Sequence, residues 1–290
     1  MKNLLLFISF LFLFSVSLSA QENSKEENRA KAINDSIRIV LSQKIKVKDF
    51  EGMIFPVGLA PYTRDNEKKL SADFTPVVVS DYFLLGLLLK NAGFQNYDSQ
   101  KLNENNIAQF SLEDPLANYT KTNIEKYWGV KVEFKKAEPG GFFLYSEEAA
   151  NKLKPYFDKD GNFKWDLLNT TEKISSFILG IYSTRGYKVR ESIYFISFDS
   201  EELYHLLYKI ECGKIFYKKN KYMSNIAVKY YFEPSVSLEK YFDTISEEKE
   251  KLDSLRFDYE ASRFGKALEE TEKTRNRKAR IIETIFDDNW

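Results

Sequence analysis

The stretch DSEELYHLLYKIECGKIFYKK, residues 199–219, holds the only histidine and the only cysteine of the 290-residue chain, His205 and Cys212. An imidazole beside a thiol is the least equipment a cysteine nucleophile needs, the ring acting as base. The spacing speaks against that use. Asp199 followed by Glu202 makes a capping-box start and Gly213 a natural stop, which predicts a helix over 200–212. Leu203, Leu206, Leu207 and Ile210 form its apolar stripe. At about 100° per residue His205 falls about 200° from Leu203, on the polar side, and Cys212 is expected there too. A rise of about 1.5 Å per residue separates the two by about 10 Å, roughly three times the reach of a hydrogen bond. Cys212 would also sit at the helix C-terminus, where the dipole disfavours a thiolate. The pair is expected to be a coincidence.

Other chemistry is thinly represented. One histidine and one cysteine exclude the usual zinc sets of three or four such ligands. DKDGN, residues 158–162, matches part of a calcium loop, with Asp158 and Asp160 at ligand positions if Gly161 is the loop glycine. The first ligand position then falls on Tyr156 and the bidentate glutamate position on Leu167, so a tight Asp-Gly turn is expected instead. Glycoside hydrolysis needs two carboxylates at a set separation. Asp166 and Asp199 lie beside aromatic segments, but with 43 acidic residues the sequence nominates no pair. GxSxG, Walker, GxGxxG and HExxH motifs are absent. No catalytic residue is assigned, no cofactor and no metal is expected, and the reading leans away from an enzyme.

The one candidate interaction segment is near the C-terminus, in TEKTRNRKARIIETIF. Lys273, Arg275, Arg277, Lys278 and Arg280 form a basic cluster, and Ile281, Ile282, Ile285 and Phe286 form an apolar patch behind it. Such a helix either docks on an acidic or lipid surface or packs its patch on its own domain behind a solvated face.

The elements that would position these groups read as follows. Residues 1–20 have the basic start, apolar run and small-residue end of a signal peptide. Residues 21–32 are a polar leader, 33–94 an N-terminal helical and loop region, 95–122 a polar loop or linker, 123–234 an α+β core, and 235–290 a C-terminal helical segment. Within these, a buried helix is expected from Asp81 to about Ala92, apolar nearly all round. VKVEF and FFLY are expected to pair as strands, Ser146 and Thr170 to cap helices, and KVRESIYFISF to be one central strand. IAVKYYF, apolar on one face, reads as an outer strand, and two charged helical segments follow Pro234, parted near Gly265. The fold class is α+β: a small, mainly antiparallel sheet with segregated helices and a long charged helical C-terminal segment.

Lysine plus arginine and aspartate plus glutamate both total 43, so no global field draws in a polyanion. Aromatic residues are 16% of the chain and are expected mainly to fill the core. The expectation is an exported soluble protein, periplasmic or extracellular, that binds a protein or envelope component without catalysis. It has no nucleic-acid partner and no membrane span after signal removal, and peripheral membrane contact is possible through its terminal helix. The alternatives are a carboxylate-dependent glycan hydrolase and a carrier of an apolar ligand.

Overall fold

Residues 70–79 run extended into a helix, α1 (Ser80–Leu88), that is buried from Tyr82 through Leu88. No apolar side of α1 faces water, as its uninterrupted run of Leu, Phe and Tyr requires. It crosses α4 (Thr171–Arg185) where Gly86 meets Gly180. A Cβ on Gly86 would overlap the Phe177 carbonyl, and one on Gly180 the Phe83 carbonyl. The two backbones touch, and only glycine permits it. The extended stretch before α1 is fastened mostly by side chains. Phe74 N donates to Ser237 Oγ (3.3 Å) and Val79 N to Ser176 Oγ (2.9 Å), and Tyr241 OH donates to Val77 O (3.0 Å).

The computed structural model describes residues 69–89, 104–137, 140–198, 200–222 and 225–264. The chain divides into two units, Met1–Thr63 and Arg64–Trp290, and every described residue lies in the second. The expected signal peptide, leader and helix from residue 33 therefore lie outside the described residues, as does Gly93.

The fold is α+β, with two small antiparallel sheets. The first has three strands in the order β1 (Asn106–Phe110), β3 (Phe142–Tyr145), β2 (Glu133–Lys136). The second has four, in the order β4 (Gly186–Arg190), β5 (Ile193–Phe198), β7 (Asn225–Phe232), β6 (Ile215–Tyr222). Helix α2 (Pro115–Trp128) starts on Asp114, whose side chain accepts from Leu116 N (3.0 Å), and stops on left-handed Gly129. Ser146 caps α3 (Glu147–Leu153) and Thr170 caps α4, both as expected. The stretch 95–122, expected to be a polar loop or linker, contains β1 and the first half of α2 within its described part.

Helices α4, α5 (Glu202–Lys209) and α6 (Val236–Asp243) cover one face of the four-stranded sheet. Tyr194, Ile196, Phe198, Val228, Tyr230 and Phe232 are buried beneath them. The rings interlock: Tyr182 stacks on Phe242 at 4.1 Å, and Phe177 meets Phe198 edge-on at 6.0 Å. Such pairs add about 0.5–1.5 kcal/mol each beyond their buried area.

Two strand expectations are corrected. KVRESIYFISF is not one strand but the hairpin β4–β5, because Glu191 and Ser192 make the turn. IAVKYYF is not an outer strand: β7 is interior, and the edge is β6, whose lysines hide its alternation. The break after α6 falls at Thr244–Ile245, before α7 (Ser246–Phe264); Gly265 lies outside the described residues.

Candidate functional site

Helix α5 buries Leu203, Leu206, Leu207 and Ile210, as its stripe requires. His205 is half-buried on the other side, its ring edge-on to Tyr204 at 5.8 Å. Cys212 departs from expectation. The helix ends at Lys209, Glu211 takes a left-handed φ of 54°, and Cys212 N donates back to Leu207 O (3.1 Å). That reversal turns Cys212 against the core instead of the polar side, and burial pushes its thiol up to about 12. A thiol held protonated is a poor nucleophile. Gly213, expected as the stop, is replaced in that role by Glu211.

The Asp158 carboxylate is consumed by its own turn. Its Oδ1 accepts from Asp160 N and Asn162 N, each at 2.8 Å, and its Oδ2 from Asn162 Nδ2 at 3.1 Å. The Asn162 backbone bond leads in holding this carboxyl below its ordinary range. Gly161 supplies the positive φ of 80° that the turn needs. Among the described residues no group of three or more His, Cys, Asp or Glu is placed to hold a metal ion. Asp166 sits in a 3-10 turn, Trp165–Leu167, and Asp199 lies outside the described residues.

Asp81 is a carboxylate that ties distant parts of the chain together. It accepts from Trp128 Nε1 (2.7 Å) and from Tyr156 OH (2.6 Å), joining α1, the end of α2 and the turn after α3. Burial first, then the bond to Asp81, raises the Tyr156 hydroxyl above its usual range. Both carboxylate oxygens are engaged, so the group works as a structural bolt.

The feature that sequence reasoning passed over is the β6–β7 ribbon. Between Glu211 and Glu233 the chain has no acidic residue and five lysines, Lys214, Lys218, Lys219, Lys221 and Lys229, among six tyrosines and phenylalanines. The backbone places Lys218 in register opposite Lys229, Lys219 opposite Val228 and Lys221 opposite Ile226. Among the described residues β5 pairs β7 from Val228 to Phe232, and the β6–β7 pairs Asn220–Ala227, Lys221–Ile226 and Tyr222–Asn225 lie beyond that stretch. The signal was available as an acid-free run in a chain of zero net charge.

The segment Lys273, Arg275, Arg277, Lys278, Arg280, Ile281, Ile282, Ile285 and Phe286 lies outside the described residues. Among the described residues no helix is long and apolar enough to cross a membrane.

No family model and no curated protein matches the chain. Among solved structures it is similar to full-length DUF199/WhiA from Thermatoga maritima, at 18% identity and TM-score 0.34, over 64% of this chain and 63% of that one. It is also similar to the N-terminal LAGLIDADG domain of DUF199/WhiA, at 14% identity and TM-score 0.28, over 60% of this chain and 96% of that one. The chain thus spans less than two thirds of the full-length structure. Against these matches the expectation of an exported, periplasmic or extracellular binding protein of the envelope without a nucleic-acid partner does not stand. It is withdrawn, with its glycan-hydrolase and apolar-carrier alternatives. At these scores and identities the likeness transfers no activity, ligand or mechanism to this chain.

Proposed function

We propose that this protein binds nucleic acid through the β6–β7 ribbon. The observation that carries the reading is the acid-free ribbon itself, with Lys218 opposite Lys229 and its end extending past the strand that anchors it. Lysines spaced along a ladder meet the repeating phosphates of a nucleic-acid backbone and release its counterions on binding. With zero net charge on the whole chain, attraction to a polyanion has to come from local basic stretches such as this one.

The test is fluorescence anisotropy with labelled 20-nucleotide single-stranded and duplex probes at low salt. The comparison is between the parent chain and a variant carrying Lys218→Gln, Lys219→Gln, Lys221→Gln and Lys229→Gln. The parent should bind, and the variant should bind at least ~100-fold more weakly with its thermal unfolding unchanged. Equal binding by the two chains, or binding to heparin but to neither probe, removes the proposal.

A further inference from the structure

The four-stranded sheet has a second face. Tyr187, Phe195 and Tyr231 stand in register across β4, β5 and β7 on the side away from α4, α5 and α6. The Tyr187 and Phe195 rings are 4.5 Å apart, and those of Phe195 and Tyr231 5.1 Å. Ile193, Phe195 and Tyr231 are only 4%, 8% and 9% exposed, yet none of them belongs to the main hydrophobic core. Burial also raises the Tyr231 hydroxyl above its ordinary range. Rings on a bare sheet have neighbours at their edges and water above; these three residues are shielded, while the helices that bury the sheet's other residues lie on the opposite side.

We propose that the chain's own C-terminal segment, residues 265–290, covers this face through Ile281, Ile282, Ile285 and Phe286. Three observations select it. It belongs to the same unit as the sheet, Arg64–Trp290, whereas residues up to Thr63 form a unit of their own. The last described helix passes close to the sheet before it ends at Phe264: Arg256 of α7 donates through Nη1 to Thr184 O (2.7 Å), two residues before edge strand β4 begins at Gly186. The reach is also sufficient. From Phe264 to Ile281 the chain can span about 25 Å as helix and more than twice that extended, against about 14 Å across four strands. The spacing of the four apolar residues at i, i+1, i+4 and i+5 puts them on one side of a helix. The basic cluster from Lys273 to Arg280 precedes them, so the segment's charge and its seal are separate parts of it.

The experiment uses the full chain with Cys212→Ser, which removes the only native thiol, and Phe195→Cys as the reporter. A thiol reagent should label Cys at 195 slowly, and adding Ile282→Asp with Ile285→Asp should raise the rate at least about tenfold while circular dichroism stays native. Unchanged labelling in the folded aspartate variant, or fast labelling before it, overturns the proposal. A second chain, Cys212→Ser with Tyr187→Cys and Ile285→Cys, decides the matter if the aspartates unfold the protein. Mild oxidation should then close a disulfide within one chain. A disulfide that forms only between chains would make a second copy the cover and overturn the proposal, as would no disulfide at all.

Discussion

The two sheets share antiparallel pairing and differ in what each does with its edges. In the three-stranded sheet, edge strand β2 is exposed at all four positions, Glu133 to Lys136, and Lys131 pairs with Glu133 at 2.8 Å. Mixed, mutually neutralising charge of this kind keeps a sheet edge from recruiting another chain. In the four-stranded sheet, the sequence of edge strand β6 and its partner β7 contains lysines and no acidic residue. One edge has charges of both signs in its sequence and the other of one sign only. The interiors differ as well. Of β3, the central strand of the small sheet, only Leu144 is buried, whereas in β5 every residue but Ser197 is.

The comparison can be broken at several points. Phe198→Ala, in the aromatic core under α4, should cost about 3–5 kcal/mol in urea unfolding. Leu144→Ala, its counterpart in the smaller sheet, should cost less, about 2–3 kcal/mol, because Phe143 and Tyr145 on either side are only half-buried and let the site relax around the smaller cavity. Equal losses would erase the proposed difference between the sheets. Ser146→Ala removes the cap of α3 and should cost about 1 kcal/mol. Phe134→Ala, on a ring that is 44% exposed at the β2 edge, should change stability by no more than about 0.5 kcal/mol.

Alkaline pH offers an independent check on the core. Burial pushes the Tyr119 and Tyr241 hydroxyls up to about 12, and Tyr241 also bonds Ser176 Oγ at 3.0 Å. A group whose folded pKa is raised holds its proton longer in the folded state. Its stabilisation is therefore complete below the unfolded value near 10 and is lost as pH climbs from there toward 12. The melting temperature should fall across that window, and fall less in Tyr241→Phe, which has no proton to lose.

Much of the helical framework was legible because helices announce themselves locally. The apolar run of α1, the i, i+3, i+4, i+7 set Ile174, Phe177, Ile178 and Ile181 of α4, and the Ser146 and Thr170 caps all needed only nearby residues. The strands were harder, since pairing decides them. Glu191–Ser192 is a turn only because β4 and β5 find each other. β1 escaped notice because its register shifts between Asn106 and Ala108 and breaks its alternation. Cys212 was misplaced for a related reason: the left-handed Glu211 ends the helix early and swings the next residue inward, and nothing in the type of residue 211 announces that. The ribbon lysines were visible throughout, but a count over the whole chain averaged them away.

The central claim is that the ribbon's lysines meet phosphates, and the salt dependence of binding measures that most directly. Across 50–200 mM salt, the logarithm of the parent's affinity should fall against the logarithm of salt with a slope of about −3 to −4, as expected for four lysine–phosphate contacts, and the four-glutamine variant should lose most of that slope. A slope near zero in the parent, or the same slope in both chains, would contradict the account.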